Sequence, residues 1–305
     1  MVPGVRAQPT LSTLSSKFDR SAPWVLLGPA VVLLVFLTVF PFIYSLWLSF
    51  NEWNLADRTA TWTFVGLKNY ITILTNDPFF TSAVKATFIF LAGAVTFEMI
   101  LGVAIALLLS REFRGQGLVR PIVMLPLMTT PVAVGLIWRF MYNPDRGMVN
   151  YLLSLIGITG PDWLGRPQTA MPAVIFADIW EWTPFVALIV LAALQALPSE
   201  PYEAALIDGA SSWQVFRYIT VPLILPALLV AFLIRLMDAF KTFDLIYVLT
   251  LGGPGVTTQT MSLYTYKYGF KFFKMGYASA LAYIMVFIMI VVANVFIFVT
   301  RREKR

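Results

Sequence analysis

The sequence contains no cysteine and no histidine. The first absence excludes a disulfide scaffold, a thiolate metal site and a cysteine nucleophile, and leaves the redox compartment unreadable. The second removes the commonest metal ligand and general base, which argues against enzymatic chemistry. Charge is scarce as well, with Asp, Glu, Lys and Arg making up 12% of 305 residues where an ordinary soluble domain carries about 25%. In their place, 59% of the chain is hydrophobic and the mean hydropathy is +0.78. That much apolar surface makes lipid the solvent for most of the chain. The net charge of +6 is scattered over loops and ends rather than gathered into a stripe. It suits an anionic membrane surface and gives no footprint for nucleic acid.

Lipid-length segments organise the chain. Residues 24–50 run 27 positions without a charge and 275–300 run 26, each longer than the roughly 20 that a helix needs to cross a bilayer core. Between them lie an apolar stretch holding only Glu98, an uncharged one from Pro121 to Trp138, one holding Asp178 and Glu181, and one beginning near Tyr218 that becomes polar-spotted towards Thr250. The expectation is an all-α polytopic membrane protein of six spans, at about 24–50, 84–110, 121–142, 170–197, 218–250 and 275–300. The first apolar run is about twice a typical signal h-region and no Ala-x-Ala site follows it, so it reads as a retained anchor. With both termini cytoplasmic, inner segments carry 11 Lys and Arg and outer segments eight, and the Arg301–Arg305 cluster agrees. The division is then a cytoplasmic segment 1–23, a membrane domain 24–300 and a basic tail 301–305.

Outer segments 51–85 and 143–169 carry turn chemistry such as Asn-Pro-Asp and Gly-Pro-Asp. The third, 251–274, mixes six aromatic rings with three lysines and reads as an interfacial belt with snorkelling lysines, or as a partner-docking surface. The inner loop 198–222 is more informative. Pro198 stops the fourth span, Ser199 is placed to cap a short helix over Glu200–Asp208, and Gly209 is placed as its left-handed terminator. Ser211 or Ser212 can start a second short helix. Small Ala204 and Ala205 beside apolar Leu206 and Ile207 suit a docking element or a helix resting on the lipid interface.

The loop reads Glu203-Ala204-Ala205, three residues, Gly209, nine residues, Ile219, one residue, Val221-Pro222. This resembles the signature loop of the permeases of binding-protein-dependent ABC importers, departing only in Val221 where the pattern prefers Leu. Asp238–Tyr247 followed by Leu249-Thr250-x-Gly252-Gly253-Pro254, Trp138-Arg139 with Asn143-Pro144, Gly147 and Asn150-Tyr151-Leu152, and Trp182-Thr183-Pro184-Phe185 resemble landmarks of the carbohydrate branch, the maltose-type first permease. The resemblance implies a type I importer permease with a cytoplasmic coupling helix between spans 4 and 5. It implies a second permease, two cytoplasmic ATPase subunits that hold ATP and Mg, an extracytoplasmic sugar-binding protein, a prokaryotic inner membrane, and no cofactor or enzymatic activity in this chain. Glu203, Ala204, Ala205, Asp208 and Gly209 would engage the ATPase.

Asp178, Glu181, Trp182 and Phe185 fall at i, i+3, i+4 and i+7, one helical face. Intramembrane carboxylates avoid lipid, so that face looks inward, where acids accept sugar hydroxyls and rings cover C–H faces. Arg235, Asp238, Lys241, Thr242 and Asp244 share the fifth span, where Arg235 can neutralise Asp238, and Lys241 either Asp238 or Asp244. By resemblance, Asp178, Glu181, Trp182, Phe185, Asp238, Ala239 and Thr242 line the substrate site. The competing reading is a structural ion-pair network; for Glu98 a partner such as Arg139 is expected. Two rivals come from other classes. An ion-coupled secondary transporter could use the same carboxylates but would not need loop 198–222. An intramembrane acid protease would need its acids on facing helices, whereas Asp178 and Glu181 lie three residues apart on one.

Overall fold

A computed structural model describes residues 27–57 and 61–302, with the side chains of Val299, Arg301 and Arg302 left out. The expected segment 1–23, the first residues of the anchor and the end of the basic tail lie outside the described residues. Among those described, the architecture is helical apart from two short strands. Helix α1, Leu27–Ser49, presents apolar side chains outward along nearly its whole length, with a π-turn at Val35–Val39. Strands β1, Asn51–Glu52, and β2, Thr63–Phe64, pair antiparallel in the first outer segment. Helix α2, Lys68–Asn76, then leads into the long α3, Pro78–Ser110.

Helix α3 starts on Asp77, whose Oδ1 accepts from the amides of Phe79 and Phe80 at 3.0 and 3.2 Å, satisfying donors that a helix start leaves free. The same carboxylate's Oδ2 accepts from the hydroxyls of Tyr264 and Tyr277, both at 2.5 Å. Burial, and donation to Asp77, push the Tyr264 phenol far above its usual range, so it stays a donor. Asp77→Ala removes a cap and two acceptors together. The expected result is roughly 2–3 kcal/mol lost, read as a lower unfolding midpoint of the purified protein, with Asp77→Asn intermediate.

The third expected span, 121–142, is not one straight helix. Helix α4, Gln116–Met124, tightens into a 3₁₀ turn at Leu125–Met128, and α5, Pro131–Met141, leaves it at 98°. Pro126 and Pro131 remove backbone donors on either side of the corner, which the uncharged composition concealed. Helix α6, Met148–Leu155, lies in the expected second outer segment, and α7, Pro167–Gln195, is long and apolar enough to cross a membrane, with Pro172 and Pro184 inside it.

Helices α3 and α7 form the most extensive pair in the fold. Both helices carry buried small residues, Ala83, Ala86, Ala94 and Ala106 on one and Ala170, Ala173, Ala177 and Ala187 on the other. Close approach replaces hydrophobic driving force between membrane helices, so small residues belong there. A Cβ built on Gly102 would sit 2.6 Å from Val186 Cβ, and one on Gly93 2.7 Å from Ile175 Cδ1. Gly102→Leu is therefore expected to cost about 1–3 kcal/mol and to lower the yield of folded protein in detergent, whereas a substitution at Gly117, which has open space, is tolerated.

After α7 comes α8, Glu200–Ile207, and then α9, Ser212–Phe240, which packs on both α3 and α7. The second short helix of the inner loop is thus not separate; it continues through a π-turn at Phe216–Thr220 into the fifth span. The fifth span also stops sooner than the expected 250. It ends at Phe240, and α10, Asp244–Thr250, restarts after Lys241–Phe243 and packs against α5. Helix α11, Met261–Tyr266, is extended by a π-turn at Lys267–Lys271, and α12, Met275–Arg302, closes the chain against α1 and α2. The third outer segment is more than a surface belt: Met261, Leu263 and Tyr264 are buried in the main core, and Phe270, Phe272 and Phe273 stay exposed.

Candidate functional site

The centre of the bundle is organised by one cation. Arg235 of α9 is fully buried, a position that is costly for a guanidinium unless its donors are matched. Its Nε and Nη2 grip Glu98 of α3 as a fork at 2.7 and 2.8 Å, Nη2 also reaches Asp178 of α7 at 2.9 Å, and Nη1 reaches Asp238 one turn along α9 at 3.1 Å. The guanidinium carbon lies 4.5 Å from the ring centroid of Trp182. Fork geometry, delocalised charge and a flat face are what arginine offers here and lysine does not. Three helices are joined through one residue. The expected partner of Glu98 is corrected: Arg139 instead donates to the carbonyl of Val248 at 3.2 Å, at an exposed site. Lys241 pairs with Asp238 at 3.4 Å, and Asp244 has no ion pair among the described residues.

Beside this network lies a cavity of about 400 Å³. Helix α7 contributes Asp178, Glu181 and Trp182 to its wall, the end of α9 contributes Asp238, the break contributes Lys241, Thr242 and Phe243, α10 contributes Asp244 and Leu245, and α5 contributes Pro131. A span can be interrupted where its freed backbone lines a cavity, and the 241–243 break does so. Asp244 sits in the first turn of α10, where the helix dipole favours an acid. A larger cleft of about 700 Å³ in segment 144–160 is built from α6 and its flanking loops, and its acid and base, Asp145 and Arg146, are neighbours in sequence rather than gathered from several helices.

Of the seven expected lining residues, Asp178, Glu181, Trp182, Asp238 and Thr242 border this cavity. Ala239 does not; it is buried in the main core beside Phe240. Phe185 does not either, packing edge-on against Trp182 at 6.2 Å and against a second, inner apolar cluster with Val186 and Leu228. Asp178 divides its duties, with Oδ2 on Arg235 and Oδ1 buried without a hydrogen bond. Glu181 is likewise buried, and its Oε2 has no hydrogen-bond partner. Pro131 and Leu245 come from elements whose neighbourhood the sequence pattern does not reveal. From Phe243 a run of rings continues, Phe243 to Tyr266 at 4.6 Å and Tyr266 to Phe270 at 5.3 Å.

At the other end of α9 stands the loop helix. Helix α8 carries Glu200 and Glu203 in its first turn, favourable to its dipole, but Ser199 makes no side-chain cap, contrary to expectation, because its backbone is already helical. The C-terminus closes as anticipated. Gly209 has φ +71°, its amide donates to Leu206 and the amide of Ala210 donates to Ala205 at 2.9 Å, a Schellman closure. Ser211 and Gln214 then form a reciprocal capping box that starts α9. Ser211→Ala is expected to lower stability by about 1 kcal/mol, measurable by chemical denaturation, and Ser211→Asp to restore it. Glu203, Ala204, Asp208 and Gly209 are exposed while Ala205 is buried. Leu206 and Ile207 are 79% and 86% exposed. Leu206 borders a cleft of about 710 Å³ that includes Arg111 at the end of α3 with Trp213 and Phe216.

Helices of membrane length, a polar cavity at a broken span and an exposed apolar helix at the opposite end define a multi-pass membrane transport component. The chain belongs to the family described as "Binding-protein-dependent transport system inner membrane component", whose model matches residues 98–304. It is 40% identical over 263 residues to a probable ABC transporter permease protein, y4oQ, of Sinorhizobium fredii, covering 86% of this chain and 84% of that protein. It is 38% identical to the trehalose/maltose transport system permease protein MalF of Thermococcus litoralis, over 84% of this chain and 87% of that one. Identity to the trehalose transport system permease protein SugA of Mycobacterium tuberculosis is 37%, over 93% and 90%. In fold it matches a chain from the crystal structure of a bacterial ABC transporter that imports the acidic polysaccharide alginate, with a TM-score of 0.82 at 24% identity over 96% of this chain and all of that one. The expected all-α type I permease architecture is thereby met, and by its family and relatives the chain is a transport subunit rather than an enzyme.

Proposed function

We propose that this chain is one of two homologous permease subunits which together form the membrane passage of an ATP-driven importer for a sugar, of di- or oligosaccharide size. The single observation that carries the reading is the cavity in which Trp182 stands among Asp178, Glu181 and Asp238 beside a broken span. Carboxylates accept from sugar hydroxyls and the indole covers an apolar sugar face, with Arg235 holding one side of the ring in place. The relatives named for trehalose and maltose support the same substrate class.

The device that drives the passage is α9. One continuous helix, roughly 40 Å long at 1.5 Å per residue, runs from the loop helix to Asp238. Two cytoplasmic ATPase subunits, holding ATP and Mg, grip α8 through the exposed Glu203, Ala204, Asp208 and Gly209, while Ala205 faces this chain's own interior and seats the helix. Their closure moves α8 as a rigid body, and α9 carries that displacement to the cavity, exchanging inward-open and outward-open states. An extracytoplasmic binding protein delivers the sugar to the outer face. This arrangement puts loop 198–222 and both termini on the cytoplasmic side of a prokaryotic inner membrane. The ion-coupled alternative gains no support, because Asp178 and Asp238 are engaged by Arg235 and none of the named relatives is such a carrier.

The test is sugar-stimulated ATP hydrolysis by the reconstituted importer, screened across saccharides. Trp182→Ala is expected to raise the apparent KM for the active sugar about tenfold, the loss of one stacked ring, with little change in the saturated rate. An unchanged KM would remove the cavity from the pathway. Hydrolysis that responds to no saccharide would remove the sugar.

A further inference from the structure

The cavity's charges do not balance. Of the two cations near it, Arg235 is consumed: its donors are taken by Glu98, Asp178 and Asp238, and it is fully buried behind the wall. Lys241 is the only cation on the cavity surface among the described residues, and it is paired with Asp238. Against them stand Asp178, Glu181, Asp238 and Asp244 on the wall, with Glu98 behind it. Glu181 and Asp244 have no cationic partner within 4 Å among the described residues, and Glu181 Oε2, on a side chain 2% exposed, has no hydrogen bond.

The geometry points to a charge filter: the site passes sugars that present donors, neutral hydroxyls or a protonated amine, and rejects sugars carrying a carboxylate or phosphate. The wall carries four acids against one ammonium, and that ammonium is already paired with Asp238, so hydroxyl and ammonium groups find acceptors in excess whereas an entering anion meets net negative charge. Specificity here comes from repulsion as much as from attraction. Glu181 and Asp244 set it, being the two acids on the wall with no ion pair within 4 Å among the described residues.

This inference rests on the sugar reading above, and its test separates the two. The assembled importer in nanodiscs, without its binding protein, is titrated with three probes of one skeleton: trehalose, its 6-carboxylate and its 6-amino-6-deoxy derivative. In the unmodified importer the carboxylate is expected to bind at least about tenfold more weakly than trehalose, and the amine at least as tightly. In the Glu181→Gln/Asp244→Asn variant the gap between carboxylate and trehalose is expected to close to within about threefold. Asp244→Asn alone, at an exposed position, is expected to close part of the gap and keeps the test available if the double variant does not assemble. A carboxylate that binds as well as trehalose to the unmodified importer, or a gap that persists unchanged in both variants, overturns the filter while leaving the sugar site standing. If no probe shows saturable binding that Trp182→Ala weakens, the sugar reading falls and the filter with it.

Discussion

Gly209→Val should leave the importer assembled while sugar-stimulated ATP hydrolysis and uptake fall by about tenfold or more. The glycine sits at φ +71°, where an L-residue pays a steric penalty of roughly 1–2 kcal/mol, more when it is β-branched. That backbone closes α8 with two hydrogen bonds and turns the chain into the capping box of α9, so a side chain there re-aims the loop helix relative to the span it drives. Nothing lies within 4 Å of a Cβ at this position, so crowding is not the cause, and Gly209→Asn, which tolerates the left-handed region, should recover most of the activity. Co-purification of the four subunits measures assembly and the reconstituted ATPase measures coupling. Uptake unchanged in the valine variant would show that the turn does not transmit force.

The second large effect is at the other end of the same helix. Arg235→Leu leaves Glu98 and Asp178 buried without their cation, and removing one partner of such a pair costs about 3–5 kcal/mol. The expected result is little folded protein in the membrane fraction. Arg235→Lys retains charge but not the fork to Glu98 or the face against Trp182, so it should fold with reduced stability and a raised KM for sugar. The double change Glu98→Leu/Arg235→Leu should recover part of the folding lost in Arg235→Leu, because it removes one of the two buried carboxylates that the single change leaves without their cation. Recovery of protein without recovery of transport would separate the network's two tasks, holding three helices together and fixing the wall of the cavity. Failure of the double change to recover anything would mean that the pair is not energetically coupled.

Helix periodicity made part of the site readable in advance. Asp178, Glu181 and Trp182 share a face whatever surrounds them, and acids on a membrane helix have to turn away from lipid. The loop turn was equally legible, because Gly209 and Ser211 act on their own neighbours through backbone geometry. What stayed hidden involved distance or a missing punctuation mark. Glu98 and Arg235 are 137 positions apart, and no local pattern tells which spans adjoin, so the nearer-seeming Arg139 drew the assignment. The break at Lys241-Thr242-Phe243 contains neither glycine nor proline, and a continuous helix was the natural expectation. Phe185 has the right spacing for the cavity face but sits nearly two turns beyond Asp178, where α7 has passed into the inner apolar cluster.

The amino-acid order alone determined a membrane protein of several apolar helices, the inward face of α7 and the inner loop with its left-handed turn, since each follows from hydropathy over 20 residues or from interactions within four. Tertiary packing alone decided that Arg235 serves three carboxylates, that the fifth span breaks beside the cavity and runs unbroken from the loop to that point, and that Glu181 makes no ion pair among the described residues. The reason is physical: where few charges are available in a low-dielectric interior, which acid meets which base depends on which helices are neighbours, and that is a property of the whole bundle.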